Sequence, residues 1–462
     1  MKAAFVGGGS LRLLPIFRAV FQKVPEAFRG GEIRLLDLKR ERAEAVARMV
    51  KACPEYKNVE CRITVTDDME EAMNGIDVFY LTMGVLRQPT ETLAAMLAQE
   101  YGCISSDQLS INGGFLAMKL GPLILDMARK LERLSPNALM LIFANPVAVY
   151  SNIVNLNTKI RALGICGGFS NHRWDLTRLC FGKDENDLSW DVVAAGVNHL
   201  SFILRGSYKG EDLFGSLLPR CLTDSWKCMN FGENILLERV VKNLFQMYRK
   251  YGTLIFSTEI DGLAHVMRDE VLEFQKKGLE APFDPESAGR EWREKLRKDF
   301  DTFEKMSMNP AAVDWSYPPK IHRKENLFTD PVYLHISVPI FRAVAGTEKM
   351  RIAASRPNYG AIEGLPANAA SEYTMDIFGK EITPVENQYV PSPFQGLVAS
   401  LSEYQTLLAE AIAKRDPRIL AAAFDAYPVH RFRSERKDFL RKMFDLYPEI
   451  DPAMRSSVDM MF

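Results

Sequence analysis

Between Ala138 and Ser201, three short apolar runs each stop at a polar residue of the ligand-binding type, and this limits the fold more than any other feature. ALMLIFANP (Ala138–Pro146) has strand length and stops at Asn145-Pro146. RALGICGG (Arg161–Gly168) carries a thiol, Cys166, at the end of its apolar run. DVVAAGVNHLSF (Asp191–Phe202) presents Asn198 and His199 just after Gly196. In an open α/β sheet such strand ends converge on the crevice where ligands bind. A thiolate and a neutral imidazole are both good ligands for a divalent transition metal. Taken singly, Cys166 also reads as a buried structural thiol and His199 as a core histidine. Their shared placement at strand ends is what points to a metal.

The N-terminus predicts the other half of such a crevice. Lys2–Val6 is a short apolar strand leading into Gly7-Gly8-Gly9-Ser10, and a helix follows over Leu13–Gln22. A glycine turn between strand and helix lets backbone N–H groups and the helix N-terminus approach a pyrophosphate. Glu32–Leu38 is a second strand, with Asp37 near its end placed to accept from the ribose hydroxyls of an adenosine, which favours NAD over NADP. The glycine pattern departs from GxGxxG, since Arg12 stands where the third glycine belongs, and Asp37 lies farther on than usual. Cys61–Thr66 and Asp77–Thr82 read as further parallel strands around a helix at Met69–Met73, with Gly84 in the next crevice-edge turn. Ser105–Gly114 (SSDQLSINGG) then breaks the pattern before a helix at Phe115–Leu134. Asp107 is the only acid of that loop and reads either as a solvated carboxylate or as a site residue.

Beyond Ser201 the alternation of strand and helix is lost, which predicts a change of domain near residues 195–205. A chain of 462 residues is too long for a single core, so two domains are expected, 1–195 and 196–462. Ser225–Tyr251 and Pro285–Met308 have helical patterning, and Lys320–Pro331 is a charged connection. Thr258–Glu270 concentrates Glu259, Asp261 and His265. Arg356–Glu372 interleaves turn residues with short apolar pairs, and strands and two helices, Leu397–Lys414 and Pro417–Tyr427, follow. A net charge of −1 leaves no electrostatic footprint for nucleic acid or an anionic membrane. Seven scattered cysteines make no disulfide framework, and no run approaches the apolar length of a membrane span. With no cleavable leader in MKAAFVGGGS, the expected compartment is a reducing cytoplasm.

Together these segments resemble glycoside hydrolase family 4, the NAD-dependent glycosidases. The matching pieces are VGGGS (Val6–Ser10), INGG (Ile111–Gly114), ANP (Ala144–Pro146), ICGG (Ile165–Gly168), GVNHLSF (Gly196–Phe202) and PNYGAIEGLP (Pro357–Pro366), in order over most of the chain. The resemblance implies a Rossmann-like parallel-sheet domain of the lactate/malate dehydrogenase kind, followed by an α+β domain that closes over the nicotinamide. It implies that Gly7, Gly8, Gly9, Ser10, Asp37 and Gly84 hold NAD, and that Asn145 lies where nicotinamide and sugar meet. Cys166 and His199 would be the ligands of a divalent metal, usually manganese in the family, and Asn198 would orient the substrate or cofactor. Homodimers or homotetramers are the implied assembly.

The departures concern the base. The family's phosphoglucosidases carry an Asn or Asp after the metal cysteine, where this chain has Gly167, and a tyrosine-rich stretch that Gly252–His265 lacks. This resembles the galactosidase and uronidase branch, where an acid and a histidine occupy that segment. Asp261, Asp107 and His265 are therefore the candidates for the base, with Tyr251 as an outsider. The implied reaction oxidises carbon 3 of the sugar, removes the acidified proton on carbon 2, eliminates the aglycone, adds water and returns the hydride. The competing expectations are a dehydrogenase of a sugar or hydroxy acid, which has no need of Cys166 and His199, and a non-catalytic NAD-binding protein.

Overall fold

The central strands of the first half have no polar phase. Ala3, Ala4, Phe5 and Val6 of β1 (Lys2–Val6) are all buried, as a parallel strand covered by helices on both faces must be. With β2 (Glu32–Leu36), β3 (Arg62–Thr66), β4 (Val78–Leu81), β5 (Leu139–Ile142) and β6 (Arg161–Gly164) it forms the parallel order β3-β2-β1-β4-β5-β6. This is the doubly wound dinucleotide-binding order, whose switch point lies between β1 and β4. The connecting helices are α1 (Leu13–Lys23), α2 (Arg40–Ala52), α3 (Met69–Met73), α4 (Thr90–Glu100), α5 (Ile111–Leu134) and α6 (Val147–Asn157), and α7 (Gly168–Phe181) follows β6. The computed structural model describes residues 1–83, 88–183, 187–221, 244–256, 262, 265–266, 268–279, 283–315, 331–428 and 433–462.

Beyond β6 the sheet continues antiparallel. β7 (Trp190–Val197), β8 (Leu200–Tyr208), β9 (Glu211–Asp212), β10 (Leu254–Phe256), β11 (Met350–Pro357), β12 (Ala370–Phe378) and β13 (Glu381–Pro384) extend it in the order β6-β11-β12-β7-β8-β10. β9 pairs with β8 and β13 with β12. The join between the parallel and antiparallel parts is the single pair Gly164↔Ser355. The larger hydrophobic cluster runs under both parts, from Ala3 to Met461, and a second one gathers Trp190, Val192, Ile203, Leu213 and Leu254 by β7 and β8.

The element boundaries moved where side chains intervene. The strand expected over Glu32–Leu38 stops at Leu36, because Asp37 Oδ1 accepts from the Lys39 amide and turns the chain, leaving Leu38 96% exposed. The helix expected from Phe115 starts at Ile111, so that INGG forms its first turn. The C-terminal pair is Gln395–Lys414 and Pro417–Ala426, and a third helix, Arg433–Leu446, was not anticipated. These helices brace α5: Tyr404 OH donates to Ser110 O at 3.3 Å, Tyr447 OH to Asn112 Oδ1 at 2.5 Å, and Phe115 meets Phe444 edge-on at 4.8 Å. Most of Ser225–Tyr251 and nearly all of Lys320–Pro331 lie outside the described residues. Among the described residues, no helix is long and apolar enough to cross a membrane.

Candidate active site

The glycine turn is fitted so closely that side chains are excluded. Gly7 has φ +83°, and a Cβ there would stand 2.8 Å from the Thr82 carbonyl at the end of β4. A Cβ on Gly9 would stand 2.5 Å from Arg42 Cβ and 3.0 Å from Asp37 Oδ2. Gly7 N and Gly8 N both donate to Leu36 O, at 3.1 and 2.8 Å, and Ser10 N closes the turn on Gly7 O at 2.9 Å. Asp37 lies in this turn despite its distance in sequence: its Oδ2 accepts from Gly9 N at 2.9 Å. The turn thus has the shape and the acid of a dinucleotide cradle, with Arg12 standing immediately before α1. Gly84 lies outside the described residues.

The second cluster is the thiol and the imidazole. Cys166, half-buried just after β6, places its Sγ 3.2 Å from His199 Nε2. With the lengths zinc takes, roughly 2.3 Å to sulfur and 2.05 Å to nitrogen, one shared ion would hold these atoms about 3.1 Å apart at a right angle and about 3.6 Å apart at a tetrahedral angle. The pair therefore fits a common divalent ion without rearrangement. Among the described residues no group of three or more His, Cys, Asp or Glu that could hold a metal ion is formed. His199 does not reach Cys166 from a third parallel strand. It sits in the two-residue turn between β7 and β8, after the pair Val197↔Leu200. Its φ is +67°, a left-handed conformation that costs a non-glycine residue about 1–2 kcal/mol and is held by the surrounding ladder.

Asn145 and Asp107 form the third cluster. Asn145 Nδ2 donates to Asp107 Oδ2 at 2.6 Å. Gln108 Oε1 accepts from Val147 N at 3.1 Å, which pins the Ser105–Gly114 loop on the start of α6. Asp107 is thus a held residue rather than a solvated loop carboxylate. Glu91, in the first turn of α4, was not singled out from sequence. Burial, with the charge of Asp107 added, raises its carboxyl above the usual range.

Asn198 is 1% exposed, and its Nδ2 donates to Glu372 Oε2 at 2.6 Å. Among the described residues its Oδ1 has no hydrogen-bond partner. Glu372 was also missed by sequence reasoning, although an acid amid the small and apolar residues of AASEYTMDIF is a usable signal. Burial raises its carboxyl, and the bonds from Asn198 and Ser201 and the nearby His199 oppose that rise. His265 Nε2 lies 3.3 Å from Tyr427 OH, and the two rings meet edge-on. Tyr251 packs edge-on against Phe394 at 5.1 Å, a core contact. Asp261 and Glu259 lie outside the described residues.

Two family models match the chain: family 4 glycosyl hydrolase over residues 2–179, and the family 4 glycosyl hydrolase C-terminal domain over residues 194–429. An alpha-galacturonidase of Thermoanaerobacter italicus is 22% identical over 468 residues, covering 96% of this chain and 96% of its own. An alpha-galactosidase of Bacillus subtilis is 22% identical over 460 residues, covering 96% and 97%. Among solved structures, a 6-phospho-alpha-glucosidase from gut microorganisms, in complex with NAD and Mn2+, superposes with a TM-score of 0.77 at 16% identity, over 98% of this chain and 99% of that one. This last likeness is one of fold.

Proposed function

Because the chain belongs to family 4 of the glycosyl hydrolases, we propose that it hydrolyses an O-glycoside with NAD and a divalent metal, manganese first among them. The observation that carries the proposal is the 3.2 Å approach of Cys166 Sγ to His199 Nε2 in a chain that also folds a dinucleotide turn around Asp37. In this reading residues 1–195 hold the cofactor and 196–462 close the sugar site, as a homodimer or homotetramer in the cytoplasm. The reaction class is oxidation at carbon 3, loss of the carbon 2 proton and the aglycone, addition of water, and reduction at carbon 3. When bound, NAD would supply a reversible hydride acceptor and the metal a Lewis acid for the sugar oxygens.

The chain's own residues supply orientation. The glycine turn and the N-terminus of α1 offer backbone N–H groups to a pyrophosphate. Cys166 and His199 would hold the metal; sugar oxygens would complete its shell and suit manganese better than further sulfur. Asn145, held by Asp107, would present its amide to the sugar beside the cofactor, and Asn198 Oδ1 would accept from a sugar hydroxyl. Asp261, Asp107 and His265 remain the candidates to take the carbon 2 proton. Asp107 is supported by its place beside Asn145. His265 is supported by its contact with Tyr427, which fixes its ring.

With aryl galactosides and galacturonides, NAD, manganese and a thiol reductant, the expected result is release of aglycone with no net NADH. Net NADH without aglycone would replace this reading by a plain dehydrogenase. A substrate deuterated at carbon 2 should lose its label to solvent during turnover. Asp261→Asn should stop that exchange while bound NAD is still reduced, and undiminished exchange would remove Asp261 from the mechanism.

Cofactor choice follows from Asp37. A 2′-phosphate would meet its carboxylate, so NAD should bind more tightly than NADP, and Asp37→Ala should narrow the gap. That variant also removes the acceptor of Gly9 N, so affinity for both should fall. Equal binding of the two by the unaltered protein, read by titration, would contradict the assignment.

A further inference from the structure

The register of the sheet places a carboxylate next to the turn that carries His199. Gly164 pairs with Ser355, Ser355 with Glu372, Glu372 with Gly196, and Gly196 with Ser201, one strand after another from β6 to β8. Within this row Gly196 has no room for a side chain: a Cβ would stand 2.6 Å from Ser201 Cα and closer still to the Leu200 carbonyl. Glu372, paired with Gly196 on the next strand, is 6% exposed and reaches the hairpin with its side chain. Its Oε2 accepts from Asn198 Nδ2 at 2.6 Å, its Oε1 from Ser201 Oγ at 3.1 Å, and Ser355 Oγ approaches Oε2 at 3.5 Å. The carboxylate thus ties together both sides of the Asn198-His199 turn. Without such a restraint a left-handed, non-glycine turn residue would relax.

We infer that Glu372 is a positioning residue: by bonding Asn198 and Ser201 it locks the β7–β8 turn so that the His199 imidazole stays beside Cys166. This rests on the metal reading of Cys166 and His199 given above. What Glu372 supplies is the length of its side chain, not its charge. An aspartate would retract the acceptor by one carbon–carbon bond, about 1.5 Å, taking the Asn198 contact to about 4 Å and outside hydrogen-bond range. A glutamine keeps the length: its oxygen accepts from Asn198, and its amide donates to the Ser201 hydroxyl, which can accept.

The test is manganese affinity of the full-length protein in the presence of NAD, read from the electron paramagnetic resonance of free Mn2+. NAD affinity and thermal unfolding are followed alongside. Glu372→Asp should raise the manganese dissociation constant 10- to 100-fold, the usual cost of losing a support behind a metal ligand. Glu372→Gln should lose less than the lower end of that range, and neither variant should move NAD affinity. The inference is overturned if Glu372→Asp binds manganese like the unaltered protein, or if Glu372→Gln weakens binding as much as Glu372→Asp does. Cys166→Ser is the control. If the unaltered protein binds manganese no better than Cys166→Ser, the metal reading itself fails and takes the positioning role with it. If only the Glu372 variants behave contrary to expectation, the metal reading stands.

Discussion

Turnover falls by about 10³-fold or more when Cys166 becomes serine or His199 becomes glycine, because each change removes a proposed protein donor to an ion worth several kcal/mol of transition-state stabilisation. The two substitutions differ in their cost to the fold, because Cys166 is half-buried whereas His199 is 8% exposed and its loss leaves a void. Serine differs from cysteine by one atom at a half-buried position after β6. Glycine suits φ +67° at the hairpin turn, and relief of about 1–2 kcal/mol there offsets much of its extra chain entropy, about 1 kcal/mol. A melting temperature close to that of the unaltered protein for Cys166→Ser and a lower one for His199→Gly, with manganese binding lost and NAD binding kept in both, are the expected set. Full turnover by either variant after exhaustive chelation would eliminate the metal site. Because the proposed ligand is a thiolate, air oxidation should also inactivate the enzyme, and a thiol reductant should restore it while oxidation is at the reversible stage.

Gly196→Ala is the second large effect, and it separates fold from ligand. The added methyl would stand 2.6 Å from Ser201 Cα, a backbone atom paired across the hairpin that has no alternative rotamer. The backbone at Gly196 is also at φ +157°, which a side chain rarely adopts. Clash and strain together place the cost at about 2–4 kcal/mol, in the range of severe overpacking. Because Gly196 pairs with Glu372, relief by strand displacement would also carry the Asn198-His199 turn away from Cys166. The variant should unfold at lower denaturant than the unaltered protein and bind manganese weakly even where it is folded. Unchanged denaturant midpoint and manganese affinity would show that the hairpin tolerates the methyl and that its register does not govern the site.

The legible parts of the site were those whose chemistry and backbone demand sit in one short stretch. VGGGS after an apolar strand could be read as a cradle because glycine spacing and strand patterning are local, and Asp37 could be named from its place at the end of the next strand. The structure adds that Asp37 holds the turn itself through Gly9 N. Asp107 was ambiguous from sequence because a lone loop acid has no local signature, and its meaning came from Asn145 Nδ2, 38 positions away. The local setting of Glu372 marks it as an unusual acid but not its role, since its partners lie in the β7–β8 turn, on β8 and on β11 and only the register joins them.

What the sequence determined by itself was therefore most of the chemical groups and the parallel, glycine-turn character of the first half of the sheet. Apolar runs without a polar phase must be covered on both faces, and glycines before a helix leave few other folds. That Cys166 and His199 belong together was read from their types and their positions after apolar runs, but the reason they meet was not in those runs. His199 comes to Cys166 on a hairpin of the antiparallel extension, held by a carboxylate from a strand more than 170 residues downstream. Strand pairing over such separations is set by hydrogen-bond register and burial across the whole sheet, and no local pattern encodes it. Only the tertiary structure could decide how that thiol and imidazole meet, and which acid bonds the turn that carries the imidazole.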